Sequence, residues 1–131
     1  MRTVFFDRTC GKKLPQALKL LGLAVEYHAE HFEDTTHDDV WLAAVGGRGW
    51  FVITNDKNIR YRESERQALI SHGVGCFALG GGSRTRWQQA TILARAWDRI
   101  EEAMANTSRP FIYTIHADGH LQLIYPPPAP A

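Results

Sequence analysis

Short apolar runs, each closed by an aspartate or a cluster of glycines, alternate along this chain with longer stretches whose apolar residues recur at helical spacing. Trp50 to Thr54 is the clearest run, rich in β-branched and aromatic residues and ended abruptly by Asn55, Asp56 and Lys57. A short apolar segment of this composition, bounded by polar residues, reads as a strand covered on both faces of a parallel sheet. Thr3 to Phe6 repeats the pattern, followed at once by Asp7 and Arg8 and then by Gly11-Lys12-Lys13. Val74 to Leu79 is another such run, ended by Gly80-Gly81-Gly82-Ser83.

Between the runs the period changes. Leu14, Ala17, Leu18 and Leu21 share one helical face, with Pro15 in the first turn and Gly22 as a stop. Leu23 to Glu30 alternates, with Val25, Tyr27 and Ala29 opposite Glu26, His28 and Glu30, which predicts a second strand nearer an edge. Residues 31 to 39 are polar and lead into a helix with Thr36 as N-cap and Asp38 and Asp39 in the first turn. Its expected buried side carries Val40, Trp41, Ala44 and Val45, and Gly46-Gly47 is the expected end. A short helix over 63 to 71 is closed by Gly73, and the longest helix spans about 84 to 105, with Ser83 as N-cap and a stripe of Trp87, Ala90, Ala94, Trp97 and Met104 read as core. Phe111 to Ile115 and Leu121 to Tyr125 flank Ala-Asp-Gly-His, a hairpin turning at Asp118-Gly119.

Strands alternating with helices imply an α/β fold with a mainly parallel sheet and right-handed crossovers. With the order 2-1-3-4, winding reverses between strands 1 and 3, and the crevice at that switch point opens between Asp7 and Asp56.

The bulk numbers narrow this picture without redirecting it. A chain of 131 residues, 44% hydrophobic, forms one domain with an ample core over residues 1–125, and 126–131 is a proline-rich tail expected to be disordered. A formal charge of +1 gives no general attraction for nucleic acid, so any such binding must come from local clusters. Cys10 and Cys76 are too few for a disulfide framework and read as reduced thiols. With no signal-peptide pattern and no long apolar stretch, a soluble cytoplasmic protein is expected.

The candidate chemistry sits behind the strands. Asp7 and Asp56 follow adjacent strands, and Asp38 and Asp39 open a helix; carboxylates gathered in one place repel one another and favour a compensating hard divalent cation. Lys12, Lys13, Lys57, Arg60, Arg62, Arg84 and Arg86 all follow predicted strand ends and form a local basic rim, which fits a metal-dependent phosphodiesterase acting on nucleic acid. Each acid alone also has an ordinary reading, as a helix-dipole partner for Asp38 and Asp39 or as a turn residue for Asp7 and Asp56. His28, Glu30, His31 and His37 lie close in sequence but lack a zinc spacing, and His116 and His120 read as surface residues. Gly80 to Ser83 lacks the lysine of a P-loop, and no nucleophile elbow occurs.

Phe5-Phe6-Asp7-Arg8, the Leu-Pro-x-Ala-Leu-x-Leu-Leu-Gly helix, Asp38-Asp39-Val40-Trp41-Leu42 and Gly49 through Lys57 together resemble the PIN-like toxins of bacterial type II toxin–antitoxin modules, the VapC-type ribonucleases, over roughly residues 3 to 80. The resemblance implies an α/β/α sandwich and an endoribonuclease using Mg²⁺ or Mn²⁺, with Asp7, Asp38 and Asp56 as catalytic metal ligands. It makes Asp39 the nearest candidate for a further metal ligand and Glu30 another, because Lys57 stands where the fuller pattern has a second acid after Asp56. Lys13, Lys57 and Arg60 are the expected substrate contacts. It also implies an RNA substrate, an antitoxin protein as partner and a homodimer. The alternative is a non-catalytic PIN-like or flavodoxin-like module that binds a protein or nucleic acid through the tryptophan-bearing helix and hairpin.

Overall fold

The computed structural model describes residues 2–56, 63–80 and 83–127. Its strands form where apolar residues run without interruption: β1 (Val4–Phe6), β3 (Phe51–Thr54) and β4 (Gly75–Leu79) are buried along their whole length. They lie side by side in one six-stranded sheet of order β2-β1-β3-β4-β5-β6, with β2 (Val25–Tyr27) at one edge and β5 (Phe111–Ile115) and β6 (Leu121–Tyr125) at the other. Every neighbouring pair is parallel except β5 with β6, the hairpin. The fold is thus α/β with a mostly parallel sheet, and its first four strands have the order expected from the sequence.

Register decides which residues share a face. Phe6 stands beside Ile53, and Ile53 beside Phe77. These three pack with Leu14, Leu18, Leu93 and Ile100 under α1 (Lys13–Leu20) and the long C-terminal helix. Phe5, Val52 and Cys76 point the other way and pack with Trp41, Val45 and Leu69, which belong to helices that flank β3 in the chain. Full burial of an aromatic or branched side chain stabilises the fold by roughly 1.5–3 kcal/mol each. Gly75 permits the close packing across this sheet, since a Cβ there would lie 2.6 Å from the Phe111 ring.

Several local expectations are corrected. Alternation after Val25 predicts strand through Glu30, yet His28–His31 winds into a one-turn helix, α2. The Glu30 carboxylate accepts from the backbone N–H of Tyr27 at 3.1 Å, a local bond that competes with ladder pairing. His28 is consequently buried, packed against Phe5, Phe32 and Trp41. The helix α3 (Asp38–Gly47) is capped at His37 rather than Thr36, and it buries Trp41, Leu42 and Val45 while Val40 is exposed. It ends at Gly47, as expected from the glycine pair, and Gly46 also serves packing, since a Cβ there would meet the His72 carbonyl oxygen at 2.4 Å.

The helix α4 (Glu63–Ser71) has the bounds predicted for it. The longest helix, α5 (Arg86–Asn106), is capped by Thr85 rather than Ser83. Its buried face carries Gln89, Ile92, Leu93, Ala96, Ile100, Ala103 and Met104; of the expected stripe, Met104 is buried and Ala90 and Trp97 pack against the core, whereas Ala94 is exposed and Trp87 is 80% exposed. Leu21 lies just past the end of α1 and is exposed, as is Leu20. Among the described residues no helix is long and apolar enough to cross a membrane. Most of the proline-rich tail, residues 128–131, lies outside the described residues.

Candidate active site

All parallel strands deliver their carboxyl ends to one edge of the sheet, and the polar residues that end them meet there. Asp7 follows β1 directly and caps the 3-10 turn Arg8–Cys10 that comes next. Its Oδ1 accepts from the Thr9 backbone N–H at 3.0 Å and from the Thr9 hydroxyl. The same hydroxyl accepts from Asn55 N–H at 2.8 Å and lies 3.3 Å from Thr54 Oγ1, which in turn accepts from Asp56 N–H at 3.1 Å. Two threonines therefore tie the end of β1 to the end of β3.

Asp7 is only 8% exposed. Burial pushes its carboxyl up from the ordinary 3.8 to about 6, opposed by the Thr54 and Thr9 hydrogen bonds and reinforced by the nearby charge of Asp56. Burial and the Asp7 charge likewise push the Cys10 thiol well up, so this buried cysteine is a neutral packing residue.

A cavity of about 490 Å³ opens above these residues on the α3 and α4 face, and Asp7, Asp38, Asp39 and Asp56 all line it. Asp38 Oδ1 accepts from Trp41 Nε1 at 2.9 Å and pairs with the Arg8 guanidinium at 3.1 Å, while Arg8 also donates to the Asp34 carbonyl. Asp39 leans outward, its carboxylate 78% exposed and 3.2 Å from His72 Nε2. His37, the cap of α3, lines the cavity as well. Lys13 opens α1, exposed and outside this lining. Lys57 and Arg60 lie outside the described residues.

The cavity also contains Glu65, which the sequence reading passed over. It opens α4 with Glu63 and looks like an ordinary dipole partner. The available signal was topological, because a helix that follows β3 must start at the edge where β3 ends. Thr9 and Thr54 were missed for a different reason: no spacing rule marks hydroxyls that position a carboxylate.

Sharing a cavity is not convergence. Among the described residues, the one trio of ligating atoms lying within 4.8 Å of one another is Glu26, Glu30 and His31, at the β2 edge. Lys19 already sits in it, 2.8 Å from Glu26 and 3.0 Å from Glu30. Of the histidines considered for zinc, only His31 belongs to this trio; His28 is buried among aromatic rings and His37 faces the acidic cavity.

A fold of this order, with aspartates at the switch point and on the helix facing it, defines a class. A family model described as PIN like domain matches residues 2–81. The chain belongs to the PIN-like domain family. No curated protein and no solved structure matches it significantly. PIN-like domains are typically nucleases that use divalent metal ions, and membership gives this chain a nuclease-type function in general.

Proposed function

We propose that the chain is a metal-dependent endoribonuclease of the VapC type, with the cavity above β1 and β3 as its active site. The observation that carries this reading is the buried Asp7, held by Thr9 and Thr54 at the floor of a cavity that Asp38, Asp39 and Asp56 also line. A carboxylate whose ionisation is opposed by burial and by a neighbouring acid is relieved by a cation, and oxygen donors fit Mg²⁺ or Mn²⁺. Asp7, Asp38 and Asp56 would hold the ion, with Asp39 or Glu65 as a further acid. The bound ion supplies Lewis acidity and a water of lowered pKa for attack on a phosphodiester.

The chain's own residues prepare that site. Thr9 fixes the Asp7 carboxylate, and Trp41 orients Asp38. Arg8 pairs with Asp38, and its remaining donors would meet a phosphate of the substrate. Lys13, Lys57 and Arg60 steady the RNA backbone on this reading. An antitoxin that occludes the acidic cavity and a homodimer complete the proposal.

The test is cleavage of a mixed RNA pool by the purified protein with Mn²⁺, with EDTA, and with Asp56→Asn. Loss of cleavage in both controls supports the reading. A folded, partner-free protein that cuts nothing shifts the weight to the non-catalytic binding module, for which calorimetry with Mn²⁺ shows no heat.

A further inference from the structure

Where β4 and β5 end, α5 begins with an indole standing in water among guanidinium groups. Trp87, 80% exposed, lines an open depression of about 500 Å³ together with Arg84, Gln88, Thr91, Arg95 and Ala117. The helix buries a different face, so core packing does not account for this ring. A large exposed aromatic is a feature of surfaces that cover it with a partner.

The charges around it are poised rather than spent. Arg84 donates to the Gly80 carbonyl, Arg95 to the Ala117 carbonyl at 3.2 Å, and Arg86 to Gln89 Oε1 at 2.9 Å. These acceptors are neutral, and among the described residues none of the three arginines pairs with a carboxylate. Each guanidinium keeps donors for an anion. Arg86 also reaches the acidic site's own loop: a Cβ on Gly11 would lie 2.7 Å from its Nη2, and Gly11 closes the turn begun by Asp7. The depression and the acidic cavity therefore share the carboxyl edge of the sheet, with Arg86 between them.

We propose that this surface is a platform for single-stranded RNA, in which a base stacks on Trp87, Arg84, Arg86 and Arg95 take neighbouring phosphates, and the strand continues across the sheet edge to the acidic cavity. Stacking on an exposed aromatic ring beside cations is how unpaired strands are held without sequence choice, and duplex bases, already stacked on each other, are closed to it. The choice of RNA and the direction of the strand rest on the nuclease reading. The platform lies beyond the stretch matched by the family, residues 2–81, and so belongs to this chain's own C-terminal half.

The experiment is fluorescence anisotropy of a labelled, mixed-sequence single-stranded oligoribonucleotide with the full chain in EDTA, where binding is read without cleavage. Trp87→Ala is expected to weaken binding roughly tenfold, with partial recovery in Trp87→Phe and no change for duplex RNA. Arg86→Gln is expected to lower the slope of log affinity against log salt by about 0.7. Unchanged single-strand affinity in a folded Trp87→Ala protein overturns the platform, and so does an equal loss on duplex RNA. Capture of a protein partner that depends on Trp87 while RNA affinity does not would also overturn it. Cleavage in Mn²⁺, measured separately, tells the two readings apart: a parent that binds through Trp87 but cuts nothing keeps the platform and removes the nuclease, whereas a cutting parent with a silent Trp87→Ala removes the platform alone.

Discussion

At the outer edge of the sheet, Glu26, Glu30 and His31 bring their ligating atoms within 4.8 Å of one another, whereas Asp7, Asp38, Asp39 and Asp56 share a cavity without forming such a trio. By proximity alone the first group is the better metal site. Their charges say otherwise. The edge cluster is completed by Lys19, whose hydrogen bond to Glu26 holds that carboxyl below its usual range and raises its own pKa. At the cavity Arg8 pairs with Asp38, while Asp7 is buried with its carboxyl pushed up to about 6. On the function proposed above, the edge acids are satisfied by their own lysine, whereas the dispersed acids of the cavity, one of them buried, would take a cation.

The largest effect that could break this contrast is on cleavage. Asp56→Asn removes the charge from the cavity and is expected to lower RNA cleavage by at least about a hundredfold, as loss of a charged ligand does at metal-assisted sites. Glu26→Gln at the edge cluster is expected to leave cleavage within about twofold, because distant independent sites do not couple. Parallel rate measurements in Mn²⁺ check both, and equal losses would end the distinction.

The second effect is on stability, and its sign follows from Asp7. Below the ordinary 3.8 the carboxyl is neutral in both the folded and the unfolded chain. Between 3.8 and about 6 the unfolded chain has released the proton while the folded chain keeps it, so stability falls as pH rises through that window and then levels. The full difference is about 3 kcal/mol. Asp7→Asn retains an oxygen acceptor for Thr9 without the charge, and is expected to raise metal-free stability at neutral pH by about 1–3 kcal/mol while flattening its dependence between those values. Urea melts in EDTA at several pH values check this. Mn²⁺ should then stabilise the parent and not the variant.

Much of this architecture was legible because buried parallel strands read as unbroken apolar runs and hairpins announce their turns. Phe51–Thr54, Gly75–Leu79 and the pair of strands around Asp118-Gly119 all follow that rule, as does the order of the first four strands. The meeting of Asp7 and Asp56 at one edge was legible for the same reason, since Asp7 directly follows β1 and Asp56 lies two residues past β3; their role is the proposal above. Helix faces were less legible. Val40 and Trp87 sit at apolar positions in the periodic pattern yet are exposed, because Trp41 turns α3 toward Phe5 and the sheet takes the Ile92, Leu93, Ala96 side of α5. Periodicity finds a stripe; only the partner element decides which of two adjacent stripes is buried. His28 escaped for a local reason, as a single Glu30 bond to the backbone turned strand into helix.

The smallest expected effect would sharpen the comparison most, since it attempts to convert one kind of acidic group into the other. Lys19→Gln takes the ammonium away from Glu26 and Glu30 and leaves two carboxylates facing each other beside His31. If the missing cation is what separates a site from a structural cluster, the variant should acquire weak Mn²⁺ or Zn²⁺ binding that the parent lacks at this edge, visible as an added heat in calorimetry and abolished by Glu26→Gln in the same background. Its thermal stability should drop slightly, recover on adding salt, and recover further with the metal, because these charges are partly exposed and their repulsion is screened. Cleavage should not change, as the edge cluster and the cavity have no residue in common. A variant that binds no more metal than the parent would show that ligand proximity without burial is too weak to recruit an ion even when its own cation is gone. The buried position of Asp7, rather than the charge imbalance, would then be the feature that sets the cavity apart.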